Sequence, residues 1–355
     1  KKKWLYLGIA LVCVVGLLVV GCAKPAPAPP AKPAKELPKV NWKMQSCFPP
    51  PEEVIPGIPG GYGEYCIIAR NVRERTNGNF NIELYVPGAL FKGMECWSAV
   101  SKGAVDMVGG TGLYWSGEVA EGFFDTATPY GTRSYEEGFK LLSETDYQKA
   151  IRESYAKHNV YFVSMLDAAT DTWISNFPIY SLADIEGKKI RATGIKAKMV
   201  ELLGGAPVAV TGAEQYMALQ RGTVDATIYP LYCGITYKFF EVTKYFVMPG
   251  IFVPAYINVL VNMDAWNSLP QEYKDIFLDE VHKMFVYGFT ERGPALDEAA
   301  RKIAVEKYGL KEITLTKEQW DAFRAKVIPL WDELATKSAG CATCVRCLKE
   351  VAKIK

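Results

Sequence analysis

Histidine is scarce in this chain, with two among 355 residues, His158 and His282. His158 reads as part of a polar turn ahead of a strand, and His282 as part of an amphipathic helix beside acidic residues. Neither has a cysteine, a serine or a second histidine at ligand or triad spacing, so histidine-built zinc sites and Ser–His chemistry are not expected. A strong charge of either sign is also missing. The net charge is +2, no basic stripe is interleaved with aromatics, and nucleic acid is not an expected partner. Glycines do follow a strand in "GGTGLYWSG", residues 109–117, but without the G-x-G-x-x-G frame, and no P-loop occurs. No enzyme, no cofactor and no metal site is read from these residues.

What is present begins with an address. Lys1 to Lys3 form a charged start, and Trp4 to Val20 is an uncharged apolar run, short for a spanning helix and typical of a signal-peptide core. It ends in "LVVGC", which resembles a bacterial lipobox with Cys22 as the lipidated residue. "AKPAPAPPAKPAK" follows at once, and proline-rich chain acts as an extended spacer. The expected order is a signal peptide at 1–21, a tether at 22–39, then a folded body held at a bacterial membrane by lipid, periplasmic or otherwise extracytoplasmic.

Seven cysteines remain once Cys13 and Cys22 are set aside. Cys47, Cys66, Cys96 and Cys233 are scattered and read as small buried hydrophobes. Cys341, Cys344 and Cys347 form "CATCVRC", part of an iron–sulfur ligand pattern without a fourth cysteine at useful spacing. They are expected to form a disulfide or an adventitious metal site in a frayed tail, residues 341–355. An exported redox or metal-binding protein using these thiols is the alternative function.

The body alternates helices and strands. Tyr65, Ile68, Ala69 and Val72 recur at helical spacing until "TNG" at 76–78, and "FNIELYV" at 80–86 alternates as a strand does. "SAVSKGAVDMV" (98–108) and "MALQRGTVDAT" (217–227) share one grammar: a helix ending in a cation, then Gly-x-Val-Asp, then a strand. Matching signals in two α/β runs predict two lobes of similar design. The expected fold is α/β and two-lobed, with mixed sheets, a cleft between lobes and long helices at 270–306 and 317–337 packing across both. Lobe I is expected to be 40–168 plus 257–299, and lobe II 169–256 plus 300–340.

Aromatic side chains cluster near the expected strand ends: Tyr114, Trp115, Trp173, Tyr229, Tyr232 and Phe252. Core packing is the default for each, and several following strands together suggest a pocket wall. "IEGKKIRATG", 185–194, places three cations in a short strand. Either it is a solvated edge strand or Arg191 reaches an anion in the cleft.

Five segments then agree in order and spacing: "RERTNGNFNIELYVPGALF", "KGAVDMVGG", "FPIYSLADIEGKKIRATG", "LLGGAPVAVTGAEQYMALQRGTVDATIYP" and "NMDAWNSLPQEYKDI". Together they resemble the dicarboxylate-type periplasmic-binding proteins of TRAP transporters, which are tripartite, ATP-independent importers of organic acids. The resemblance implies that Arg191 clamps a ligand carboxylate and that permease membrane subunits are the partners. Three positions depart from the family. Asp171 stands where a second arginine is common, Tyr229 where an asparagine is common, and Ile228 where one branch carries a metal-binding glutamate. These departures point away from a dicarboxylate and from a metal bridge. They suggest a monocarboxylate with an apolar or aromatic body, bearing a hydroxyl or amine for Asp171. Alternatively, Asp171 neutralises Arg191 or lies outside the pocket.

Overall fold

The computed structural model describes residues 37–48, 53–126, 128–210 and 214–354. The expected leader, Cys22 and most of the tether lie outside the described residues. In chain order the strands are β1 (Val40–Ser46), β2 (Glu53–Ile55), β3 (Ile58–Pro59), β4 (Phe80–Tyr85), β5 (Met107–Gly110), β6 (Val160–Asp167) and β7 (Asp171–Ser175). They continue with β8 (Lys189–Arg191), β9 (Ala206–Val208), β10 (Ala226–Pro230), β11 (Tyr245–Met248), β12 (Tyr256–Asn262) and β13 (Lys311–Thr314). One sheet has the order β4-β1-β5-β12-β6, the other β13-β11-β7-β10-β8-β9, and β2 pairs with β3 alone. Both large sheets are mixed. β1 runs parallel to β4 and β5 while β12 is antiparallel to its neighbours, and β8 runs parallel to β9 and β10 while β7 is antiparallel to β10 and β11.

The local rules behind these elements are visible in the side chains. The helix Gly61–Arg75 stops because Asn77 and Gly78 both take positive φ, and the Gly78 amide returns to the Arg73 carbonyl at 2.8 Å. In β4, Phe80 and Ile82 are buried while Glu83 is exposed. The Gly-x-Val-Asp repeat has a structural reason. Gly103 and Gly222 turn the chain at φ +71° and +68° after their helices, and Val105 and Val224 are buried. Asp106 then accepts from the Lys43 amide within the neighbouring strand β1, and Asp225 accepts from the Lys189 amide at the start of β8, each at 2.8 Å. The same device therefore closes β5 onto β1 and β10 onto β8. It makes Gln45, two residues beyond Lys43, the counterpart of Arg191, two residues beyond Lys189.

The chain passes between sheets at Ala168–Thr170 and again at Val253–Ala255. These segments bond each other, Ala168 N to Ala255 O at 2.8 Å and Ala255 N to Ala169 O at 2.9 Å. Beside this crossing Arg292 is fully buried, 3.2 Å from Glu64 and 2.8 Å from Asp167, and donates to the Pro59 carbonyl at 2.9 Å. The helix Lys317–Ala335 crosses over both lobes: Trp320 Nε1 donates to Gly250 O at 3.0 Å and Trp331 Nε1 to Pro129 O at 3.0 Å. Among the described residues no helix is long and apolar enough to cross a membrane.

The C-terminal segment differs from the frayed tail expected of it. Ala339–Val351 is a helix with Ser338 as its N-cap, its hydroxyl accepting from the Cys341 amide at 2.9 Å. Cys341, Cys344 and Cys347 are free thiols, all fully buried, on the face packed against the body. Spacing of three residues puts them on one side of a helix, where small apolar groups fit.

Candidate functional site

A cleft of about 1120 Å³, part of it open to solvent, lies between the two sheets. Lobe I contributes Phe48, Tyr62, Thr111 and Tyr114, lobe II contributes Arg191, Lys196, Tyr229 and Tyr237, and Ala168 and Ala255 of the crossing form its back. Thr111 and Tyr114 follow β5, Arg191 ends β8, and Tyr229 and Pro230 end β10, so the cleft opens at the carboxyl ends of strands.

Arg191 is 7% exposed. Its Nε donates to the Val210 carbonyl at 3.1 Å, and its guanidinium carbon lies 5.4 Å from the Tyr229 ring centroid. Among the described residues no carboxylate pairs with it. The lobe I counterpart is spent on structure: Gln45 is fully buried, accepts from the Leu90 and Phe91 amides at 2.8 and 2.9 Å, and donates to the Phe91 carbonyl at 2.7 Å. Among the described residues Arg191 is bonded in this way through Nε alone, which leaves the two terminal nitrogens of the fork for a ligand.

Asp171 is buried at the start of β7 and lines the same cleft. Its partner is Lys196, whose ammonium bonds Asp171 Oδ2 and also donates to the Ile228 carbonyl at 3.3 Å. Lys196 is placed by Gly194, whose φ of +56° and ψ of −130° suit only glycine, at the start of the helix Ile195–Leu202. Asp171 is placed by a close approach: a Cβ on Gly250 would lie 2.3 Å from the Asp171 carbonyl oxygen. Phe252 bridges to Asp171 through the backbone and lies 5.1 Å below the Lys196 ammonium.

Five of the eight residues singled out from the sequence line the cleft: Tyr114, Asp171, Arg191, Tyr229 and Tyr232. Trp115, Trp173 and Phe252 are buried and outside its lining. Trp115 stacks on Trp97 with centroids 5.7 Å apart and donates to Tyr155 at 2.9 Å, while Trp173 donates to Tyr130 at 3.2 Å. Lys196, Tyr62 and Tyr237 were not anticipated. A lysine in a helix's first turn reads as a solvated side chain, and only the unmatched Asp171 hinted at a buried cation. Burial pushes the Tyr114, Tyr229 and Tyr232 phenols up, and Arg191 opposes this at Tyr114 and Tyr229, so the walls stay neutral. Among the described residues no group of three His, Cys, Asp or Glu side chains could hold a metal ion.

Two α/β lobes, a double crossing between them and a polar, tyrosine-walled cleft are the architecture of a solute-binding protein. Residues 65–338 match the model of bacterial extracellular solute-binding protein family 7, DctP, and the chain belongs to that family. It is similar to the monocarboxylate 2-oxoacid-binding periplasmic protein of Nostoc sp., 27% identical over 308 residues, covering 85% of this chain and 81% of the relative. The C4-dicarboxylate-binding periplasmic protein DctP of Rhodobacter capsulatus is 26% identical over 288 residues, covering 80% and 85%. Among solved structures, a TRAP periplasmic solute-binding protein from Ochrobactrum anthropi superposes with a TM-score of 0.77 at 22% identity, covering 90% of this chain and 96% of that one. The chain is thus an extracytoplasmic solute-binding protein of the TRAP type, a transport receptor and not an enzyme.

Proposed function

We propose that the protein captures a monocarboxylate through Arg191 and hands it to a TRAP permease. The observation that carries this is the contrast between two cations in one cleft: Lys196 is neutralised by Asp171, and Arg191 has no carboxylate partner among the described residues. A guanidinium fork matches a carboxylate in a way lysine cannot. The two relatives are named for monocarboxylate and dicarboxylate ligands, and one cation without a carboxylate partner among the described residues supports the former. Tyr114, Tyr229 and Tyr232 form walls for an apolar or aromatic ligand body, while Trp115, Trp173 and Phe252 stiffen the residues in front of them. With Ile228 buried and its carbonyl used by Lys196, the reading is of a ligand bound without a metal bridge.

The membership of the two sheets supports lobes of 40–168 plus 257–299 and of 169–256 plus 300–340. Cys22 is the proposed lipidation site, and Cys22→Ser should leave the chain unprocessed or shift it out of the membrane fraction. Wild-type protein found entirely in the soluble fraction would rule that out. The carboxylate clamp is tested by calorimetry on the best acid from a thermal-shift screen, with and without chelator. Arg191→Lys and Arg191→Ala should fold and lose about 3–5 kcal/mol of binding, roughly a hundredfold or more. Unchanged affinity in either variant would defeat the assignment.

A further inference from the structure

Asp171 has two carboxylate oxygens in different situations. Oδ2 receives Lys196, whereas Oδ1 is buried without a hydrogen-bond donor among the described residues. The residue is 2% exposed and lines the cleft that holds Arg191. Buried acceptors are nearly always satisfied, and an unpartnered one on a residue that lines a binding cleft suits a donor on the ligand.

Charge selects which donor. Among the described residues, the ionised side chains lining the cleft are Arg191, Lys196 and Asp171, a net charge of +1. A monocarboxylate with a neutral donor balances this. A second carboxylate would face Asp171 at short range, and an ammonium would leave the cleft with its excess positive charge beside Lys196. Both are disfavoured beside a carboxylate and an ammonium as buried as Asp171 and Lys196. Geometry sets the reach. The Arg191 guanidinium carbon and the Lys196 ammonium lie 5.4 and 5.8 Å from the same Tyr229 ring centroid, so they are at most about 11 Å apart, the sum of those distances. That is within the span of a small organic acid lying along the Tyr229 ring.

We infer that the ligand is a monocarboxylate carrying a neutral hydroxyl or amide N–H, which it donates to Asp171 Oδ1 while Arg191 holds its carboxylate. This rests on the clamp reading of Arg191, and the test separates the two. Calorimetry compares the acids X–(CH2)n–COO⁻, with two to four methylenes and X as hydroxyl, methyl, ammonium or carboxylate. At the length that binds best, the hydroxyl acid should bind about tenfold more tightly than the methyl acid and more tightly than the other two. In Asp171→Leu/Lys196→Met, which removes both charges together, the hydroxyl and methyl acids should become equal. A methyl, ammonium or carboxylate acid binding best to the wild type would overturn the inference, as would a hydroxyl preference surviving in the double variant. Arg191→Lys should weaken the whole series alike. If it does not, the clamp fails whatever the order within the series. Absence of binding by every member at millimolar concentration would overturn both.

Discussion

Lys196 and Asp171 form an ion pair in which the two side chains are 7% and 3% exposed, across the mouth of β7 and the first turn of the helix Ile195–Leu202. Each group is tolerable inside the protein only because of the other. Removing one side should therefore cost far more than removing both.

Lys196→Met should destabilise the fold by about 3–5 kcal/mol, because Asp171 is left buried and charged. The double variant Asp171→Leu/Lys196→Met should recover most of that loss. Urea unfolding at neutral pH measures it, and a single variant as stable as the wild type would show that water reaches Asp171 freely.

Asp125 predicts how stability depends on pH. Burial pushes its carboxyl up to about 7, against the donors Tyr155, Gly112, Asn258 and Thr126. A carboxyl raised in the folded state favours folding most where both states are protonated, below its ordinary value of 3.8. That contribution is lost as pH rises through 7, in total roughly 4 kcal/mol. Asp125→Asn cannot titrate. The wild type should lose stability relative to this variant between pH 4 and 8 in urea midpoints, and a difference constant with pH would be the contrary result.

The tail cysteines predict a reactivity pattern. Burial pushes the Cys344 thiol well up and the Cys341 thiol up to about 11, so neither supplies thiolate at neutral pH. Native protein should leave both unmodified by a maleimide, with labelling rates that follow unfolding in urea. Rapid labelling of the folded protein, or coloured metal bound at these thiols, would revive the redox alternative.

Much of this arrangement was legible in the sequence for physical reasons. The Gly-x-Val-Asp repeat announced two similar lobes because glycine favours a turn at positive φ and Asp106 and Asp225 each bond a backbone amide of the neighbouring strand. The strand around Arg191 was legible because a cation between glycines in a short strand needs an explanation. Other features were hidden. Trp115 adjoins a lining tyrosine yet faces the core, and Trp173 likewise packs inward, which the density of aromatics could not reveal. Lys196 looked like any exposed helical lysine. Cysteines at every third position fit a ligand loop and a helix face equally well, and only the packing of Ala339–Val351 decided between them.

The order β4-β1-β5-β12-β6 has a consequence for how the chain is made. β12, which sits between β5 and β6, leaves the ribosome about 95 residues after β6 ends, roughly 5–20 s later at ordinary rates of synthesis. Until then β5 and β6 have no shared partner, and the first half of the chain cannot complete its sheet. Pairings so distant in sequence also form slowly once available. A polypeptide that acts outside the cytoplasm therefore cannot complete this sheet, and with it one wall of its cleft, before β12 has been made.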